Sequence, residues 1–118
     1  MSELTVTYIK HSGFLIETEK SYLLFDYWQG ELPELKYDKE LYIFSSHAHH
    51  DHYTKDIFKM ENKCHKVVYV LSSDIKRKSS FWKKAENVIF MKPYEERIID
   101  DCVISTLKST DEGVAFLV

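Results

Sequence analysis

The residues of this chain best equipped for chemistry lie in one short run, His47-Ala48-His49-His50-Asp51-His52. Neutral imidazole nitrogens bind borderline divalent metals such as zinc, and a carboxylate adds a harder oxygen donor that also suits manganese or iron. If the preceding strand continues through the run, His47 and His49 share one strand face and serve one metal. As the backbone turns away, Asp51 and His52 swing to a neighbouring position, where they serve a second. Two metals held roughly 3.5–4 Å apart polarise a substrate oxygen and activate water, and the natural outcome is hydrolysis. A solvated histidine loop is the plain alternative, and the interleaved Asp51 argues against it.

Such a cluster needs a rigid frame. Leu4, Val6 and Tyr8 alternate with Thr5, Thr7 and Ile9, the period-two pattern of a strand. Two short apolar runs, Phe14-Leu15-Ile16 and Tyr22-Leu23-Leu24-Phe25, follow across a charged step and predict an antiparallel meander. Leu41-Tyr42-Ile43-Phe44 is a further strand that leads directly into the histidines. Thr54 is a good N-cap with Asp56 in the first turn, so a short helix carrying Ile57, Phe58 and Met60 is expected just beyond them.

Val67-Val68-Tyr69-Val70-Leu71 has the look of a buried strand, and Ser73 or Asp74 then caps a second helix expected to run to about Lys84. Val88-Ile89-Phe90-Met91 returns to strand, with short strands expected near 97–99, 102–107 and 114–118. Asp111-Glu112-Gly113 suits the turn of a hairpin.

With 118 residues, 44% apolar and 30% charged, the chain has the size of one domain and is too balanced for a disordered tail. No run approaches the about 20 apolar residues that span a bilayer, so a cytoplasmic protein without membrane contact is expected. The net charge of −3 argues against nucleic acid as the main partner. The run Lys76-Arg77-Lys78 with Phe81 and Trp82 could form a base-stacking patch, but a solvated helix face with Trp82 turned inward is favoured. Cys64 and Cys102 are expected to be reduced and buried, and His65 to lie on the surface. His11 is read equally as a turn residue or as lining the mouth of the site.

The pattern His47-x-His49-x-Asp51-His52, after an apolar strand and the Ser45-Ser46 step and before a helix, resembles the His-x-His-x-Asp-His signature of metallo-β-lactamase-fold hydrolases. The opening hairpins are also similar to the start of that fold, as is Asp26, because an acidic residue there ends a strand near the metals. The resemblance implies an α+β fold: the N-terminal half of an αββα sandwich, with residues 1–118 a single partial domain whose C-terminal half is absent. It also implies a metal-dependent hydrolase. His47 and His49 would hold the first metal, and Asp51 and His52 the second. Asp51 would act as the catalytic residue that orients the attacking water, and His50 fills a variable slot. Zn2+ is the expected cofactor, one or two per complete site, with Mn2+ and Fe2+ as alternatives. Asp26 is read as a partner that orients a ligand histidine or the loop bearing it.

The family's later ligands, a further histidine for each metal and a bridging aspartate, would fall beyond Val118, and no histidine follows His65. The fragment alone is therefore expected to be inactive. Three functions follow for the parent: hydrolysis of an ester, amide, lactone or phosphodiester; nuclease or phosphodiesterase action with the same metals; or a non-catalytic half-domain. In the last case the half sandwich would self-associate through an exposed inner sheet face, giving a two-fold homodimer.

Overall fold

The computed structural model describes residues 4–9, 13–48, 53–99, 102–108 and 113–118. Six strands form one sheet in sequence order: β1 (Thr5–Tyr8), β2 (Phe14–Glu17), β3 (Ser21–Phe25), β4 (Glu40–Ser45), β5 (Lys66–Ser72) and β6 (Val88–Met91). β1, β2 and β3 are the antiparallel meander the sequence predicts. From β3 onward the pairing is parallel, which places the C-terminal ends of β3, β4 and β5 along one edge. Both faces of these central strands are covered, so their sequences read as continuous apolar runs rather than as alternation.

One face packs under the connecting segments. Leu24, Leu41, Ile43, Tyr69 and Leu71 meet Ile57 and Met60 of a 3₁₀ helix, Lys55–Met60, and Ile75 of the helix α1, Ser73–Lys78. Thr54 is the N-cap of the 3₁₀ helix, accepting from the Asp56 N–H at 3.3 Å. Cys64 is buried here, and burial pushes its thiol pKa up, the charge of Lys63 partly opposing the shift. The single helix expected to reach Lys84 ends six residues earlier. Ser79 is extended (φ −141°, ψ 152°), and a separate 3₁₀ turn, Phe81–Lys84, follows it. Ser79 is held outside the helix by its own contacts: its carbonyl accepts from Trp82 Nε1 at 2.8 Å, and its hydroxyl lies 2.7 Å from that of Tyr53. Trp82 is half-buried and packs edge-on to Phe90 at 4.9 Å.

The other face of the large sheet meets a second sheet of three antiparallel strands, β7 (Glu96–Ile99), β8 (Cys102–Lys108) and β9 (Val114–Leu117). Leu23, Tyr42, Phe44, Val68, Val70 and Met91 pack against Ile104, with Ile99 and Phe116 at the margin. Phe44 stacks on Phe25 with ring centroids 4.6 Å apart and meets Phe116 edge-on at 5.2 Å. The inner face expected to be exposed is thus covered by the chain's own last strands. The exposed apolar row, Ile98, Val103, Leu107 and Leu117, lies instead on the outer face of the small sheet. Register explains this, because Ile98 faces Val103, and Ser105 faces Leu117, on the side away from Ile104 and Phe116.

Candidate metal centre

In open sheets with parallel strands, binding sites form beyond the carboxyl ends of those strands. Here the ends of β3, β4 and β5 deliver Asp26, Ser46 with His47, and Ser72 with Asp74 to the same edge. β4 stops at Ser45, so strand geometry does not extend to His47 as the spacing argument required. What ends it is competition for the Ser46 backbone. The Ser46 N–H donates to Asp26 Oδ1 at 2.7 Å, and its carbonyl accepts from the Val114 N–H at 2.8 Å.

Asp26 adopts a left-handed conformation (φ 47°), which short polar residues tolerate better than most, and its own N–H donates to the Phe44 carbonyl at 2.8 Å. Its second oxygen, Oδ2, accepts from the Ser46 hydroxyl at 2.8 Å, and the same hydroxyl lies 2.7 Å from His47 Nδ1. A hydroxyl has one hydrogen to give, and a carboxylate can only accept. The hydroxyl hydrogen therefore goes to Asp26, and His47 Nδ1 must carry the proton it donates to Ser46. In the neutral imidazole the lone pair is then on Nε2, the tautomer suited to metal ligation.

A second carboxylate grips the same segment from the other flank. Asp74 is 3% exposed; its Oδ2 accepts from the Ala48 N–H at 2.9 Å, and its Oδ1 accepts from the Ser72 hydroxyl. Gly113 closes a third side with φ +89°. A Cβ there would lie 2.0 Å from the Ser46 carbonyl oxygen and 3.0 Å from His47 Cδ2, so only glycine allows this approach. On the far side of the run, Tyr53 is tied through its hydroxyl to Ser79. Burial raises the Tyr53 pKa, and the bond to Ser79 partly offsets the rise. The Ser45 hydroxyl, fully buried at the end of β4, has no hydrogen-bond partner among the described residues.

Of the expected metal ligands, His47 stands at this edge with Asp26 beside it. His49, His50, Asp51 and His52 lie outside the described residues, as does His11. Among the described residues no three metal-ligating side chains cluster together. His65 is exposed, before β5 and so at the opposite end of that strand. The contributions of Asp74 and Gly113 were not foreseen for the site. Asp74 carried a signal, read as a helix cap, and Gly113 one read as a turn; neither pattern reveals a contact 26 or more residues away in sequence.

A family model described as a beta-lactamase superfamily domain matches residues 5–114, and the chain belongs to that family. No curated protein matches it in sequence. Among solved structures it is similar to a metallo hydrolase from the hyperthermophilic archaeon Ignicoccus hospitalis (TM-score 0.64, 20% identity, 96% of this chain and 53% of that one). It is also similar to a protein assigned as a metal-dependent hydrolase from Parabacteroides distasonis (TM-score 0.61, 15% identity, 90% and 46%). A third is CmlA, a diiron β-hydroxylase from Streptomyces venezuelae (TM-score 0.59, 15% identity, 91% and 24%). The chain thus spans about half the length of these structures or less. At such identities the likeness establishes the fold: α+β, part of a metallo-β-lactamase sandwich, as the motif and the opening hairpins led us to expect. No helix among the described residues is long and apolar enough to cross a membrane.

Proposed function

We propose that this chain carries the first part of the metal centre of a metal-dependent hydrolase. His47 and His49 would hold one metal, and Asp51 and His52 a second; zinc suits the set of three imidazoles and one carboxylate, with manganese and iron as alternatives. When bound, the metals supply Lewis acidity toward an ester, amide, lactone or phosphodiester and make water a better nucleophile. The chain's own groups do the rest. Asp26, acting through Ser46, keeps the proton of His47 on Nδ1 and its ring aimed, and Asp51 orients the attacking water. The observation that supports this reading is the relay from Asp26 through Ser46 to His47, which in the neutral imidazole puts the proton on Nδ1 and leaves the lone pair on Nε2.

Metal titration of single variants tests it. His47→Ala and His49→Ala should abolish binding at the first position, and His50→Ala should leave it intact. Equal losses in all three would refute the ligand assignment.

A second reading, self-association, is favoured by the outer face of the small sheet, where Ile98 is 75% and Leu117 54% exposed. A two-fold dimer formed there would sediment with a concentration-dependent mass. A constant monomer mass over the accessible range would exclude it.

A further inference from the structure

Two capping residues near the start of α1 are not used for capping. Ser72 is the N-cap, yet its side chain makes no capping bond; its hydroxyl donates instead to Asp74 Oδ1. Serine at this position normally satisfies an N–H of its own helix, and Asp74 in the first turn would ordinarily face solvent near the helix N-terminus. Here the carboxylate is 3% exposed and aimed across to the Ala48 N–H. A buried carboxylate is costly unless its oxygens are hydrogen-bonded, and both of these are. The arrangement gives up local helix stabilisation for a grip on a segment 26 residues away.

We propose that Asp74 is a positioning residue for the metal site: its carboxylate fixes the peptide between His47 and Ala48 and thereby the direction in which the histidine segment leaves β4. Asp26, just after β3, and Asp74, in the first turn of α1 after β5, hold the N–H groups of Ser46 and Ala48, so His47 stands between two anchored peptides. Ser79, the residue that follows α1, bonds Tyr53 just beyond the run. Of these two contacts, that of Asp74 is the one made to the backbone of the histidine segment, at Ala48. The inference rests on the reading of His47 as a ligand, and partners that orient ligands in this way typically change metal affinity by about tenfold to a hundredfold when removed.

The test compares the full chain with Asp74→Ala, Asp74→Asn and Ser72→Ala, after thermal melts have shown each to be folded. Amide exchange of Ala48 is read without metal, and cobalt(II) affinity with its visible absorption spectrum is read alongside. Asp74→Ala should speed Ala48 exchange by about tenfold or more, weaken cobalt binding by a similar factor and alter the absorption bands. Asp74→Asn retains one acceptor oxygen and should restore most of the protection and affinity, a rescue that loss of a merely structural carboxylate would not show. If Asp74→Ala does not fold, Ser72→Ala serves in its place, with a smaller shift in the same direction because the carboxylate is then less firmly aimed. Unchanged Ala48 exchange in the folded variants would overturn the proposal, as would unchanged cobalt affinity and spectrum. If the unmodified chain takes up no cobalt, the metal reading fails by itself, and Ala48 exchange alone decides the role of Asp74.

Discussion

The two sheets handle their surfaces in opposite ways. In the large sheet the central strands are parallel and sealed on both faces, and every side chain from Leu41 to Ser46 is buried. In the small sheet the strands are antiparallel, and among the described residues only Ile104, Thr106 and Val114 are buried, opposite an exposed row from Ile98 to Leu117. The difference shows where precision is needed. Parallel strands bring their carboxyl ends to one edge, so Asp26, Ser46 and Asp74 converge there on a backbone that close packing keeps from shifting. The small sheet covers the inner face, and Gly113 and Val114 at the start of β9 reach the site.

Truncations on the two sides should break this comparison most visibly. Phe44→Ala removes a ring packed between Phe25 and Phe116 and should cost about 3–5 kcal/mol in urea denaturation, whereas Ile98→Ala should change stability by less than about 0.5 kcal/mol. Similar losses at both positions would mean that the sheets are equally committed to the core.

Gly113→Ala sharpens the comparison where the start of β9 meets the site. Positive φ alone makes alanine strained by about 1–3 kcal/mol, and its Cβ would press on the Ser46 carbonyl and the His47 ring. The variant should be destabilised by that order and should bind metal more weakly, which denaturation and cobalt titration would read together. Asp26→Ala should cost about 1–3 kcal/mol by leaving the Ser46 N–H without its acceptor. Asp26→Asn, which keeps one oxygen and tolerates the left-handed backbone, should lose less. The smallest effect is expected on the outer face. Ile98→Glu with Leu117→Glu should leave monomer stability within about 0.5 kcal/mol and shift any self-association toward monomer, as measured by sedimentation.

Much of the frame was legible because strands announce themselves locally. The alternation from Leu4 to Ile9 and the apolar runs at 22–25, 41–44, 67–71 and 88–91 fall on observed strands, and the antiparallel opening followed from short polar steps. The candidate site could be picked out where its residues are consecutive, as in the histidine run, of which positions 49–52 lie outside the described residues, or where one follows a strand, as Asp26 does. Contacts between distant segments left no such trace. Asp74 looks like a cap because serine and aspartate at a helix start usually are, and nothing nearby says that its carboxylate faces another strand's loop. Ser79 fits a helical pattern until Tyr53 and Trp82 claim its polar groups. The family resemblance assigns the cover of the inner sheet face to a second half, yet β7 to β9 already supply it.

In the proposed metal site, His47 is preset for metal before metal is bound. Long-range nitrogen–proton NMR correlation of the imidazole in the metal-free chain near neutral pH tests it most directly. A His47 ring protonated on Nδ1 and bare on Nε2 is expected, with the pattern disturbed in Ser46→Ala and Asp26→Ala. A ring protonated on Nε2 in the unmodified chain, or one whose tautomers interconvert freely whether or not Asp26 is present, would contradict it.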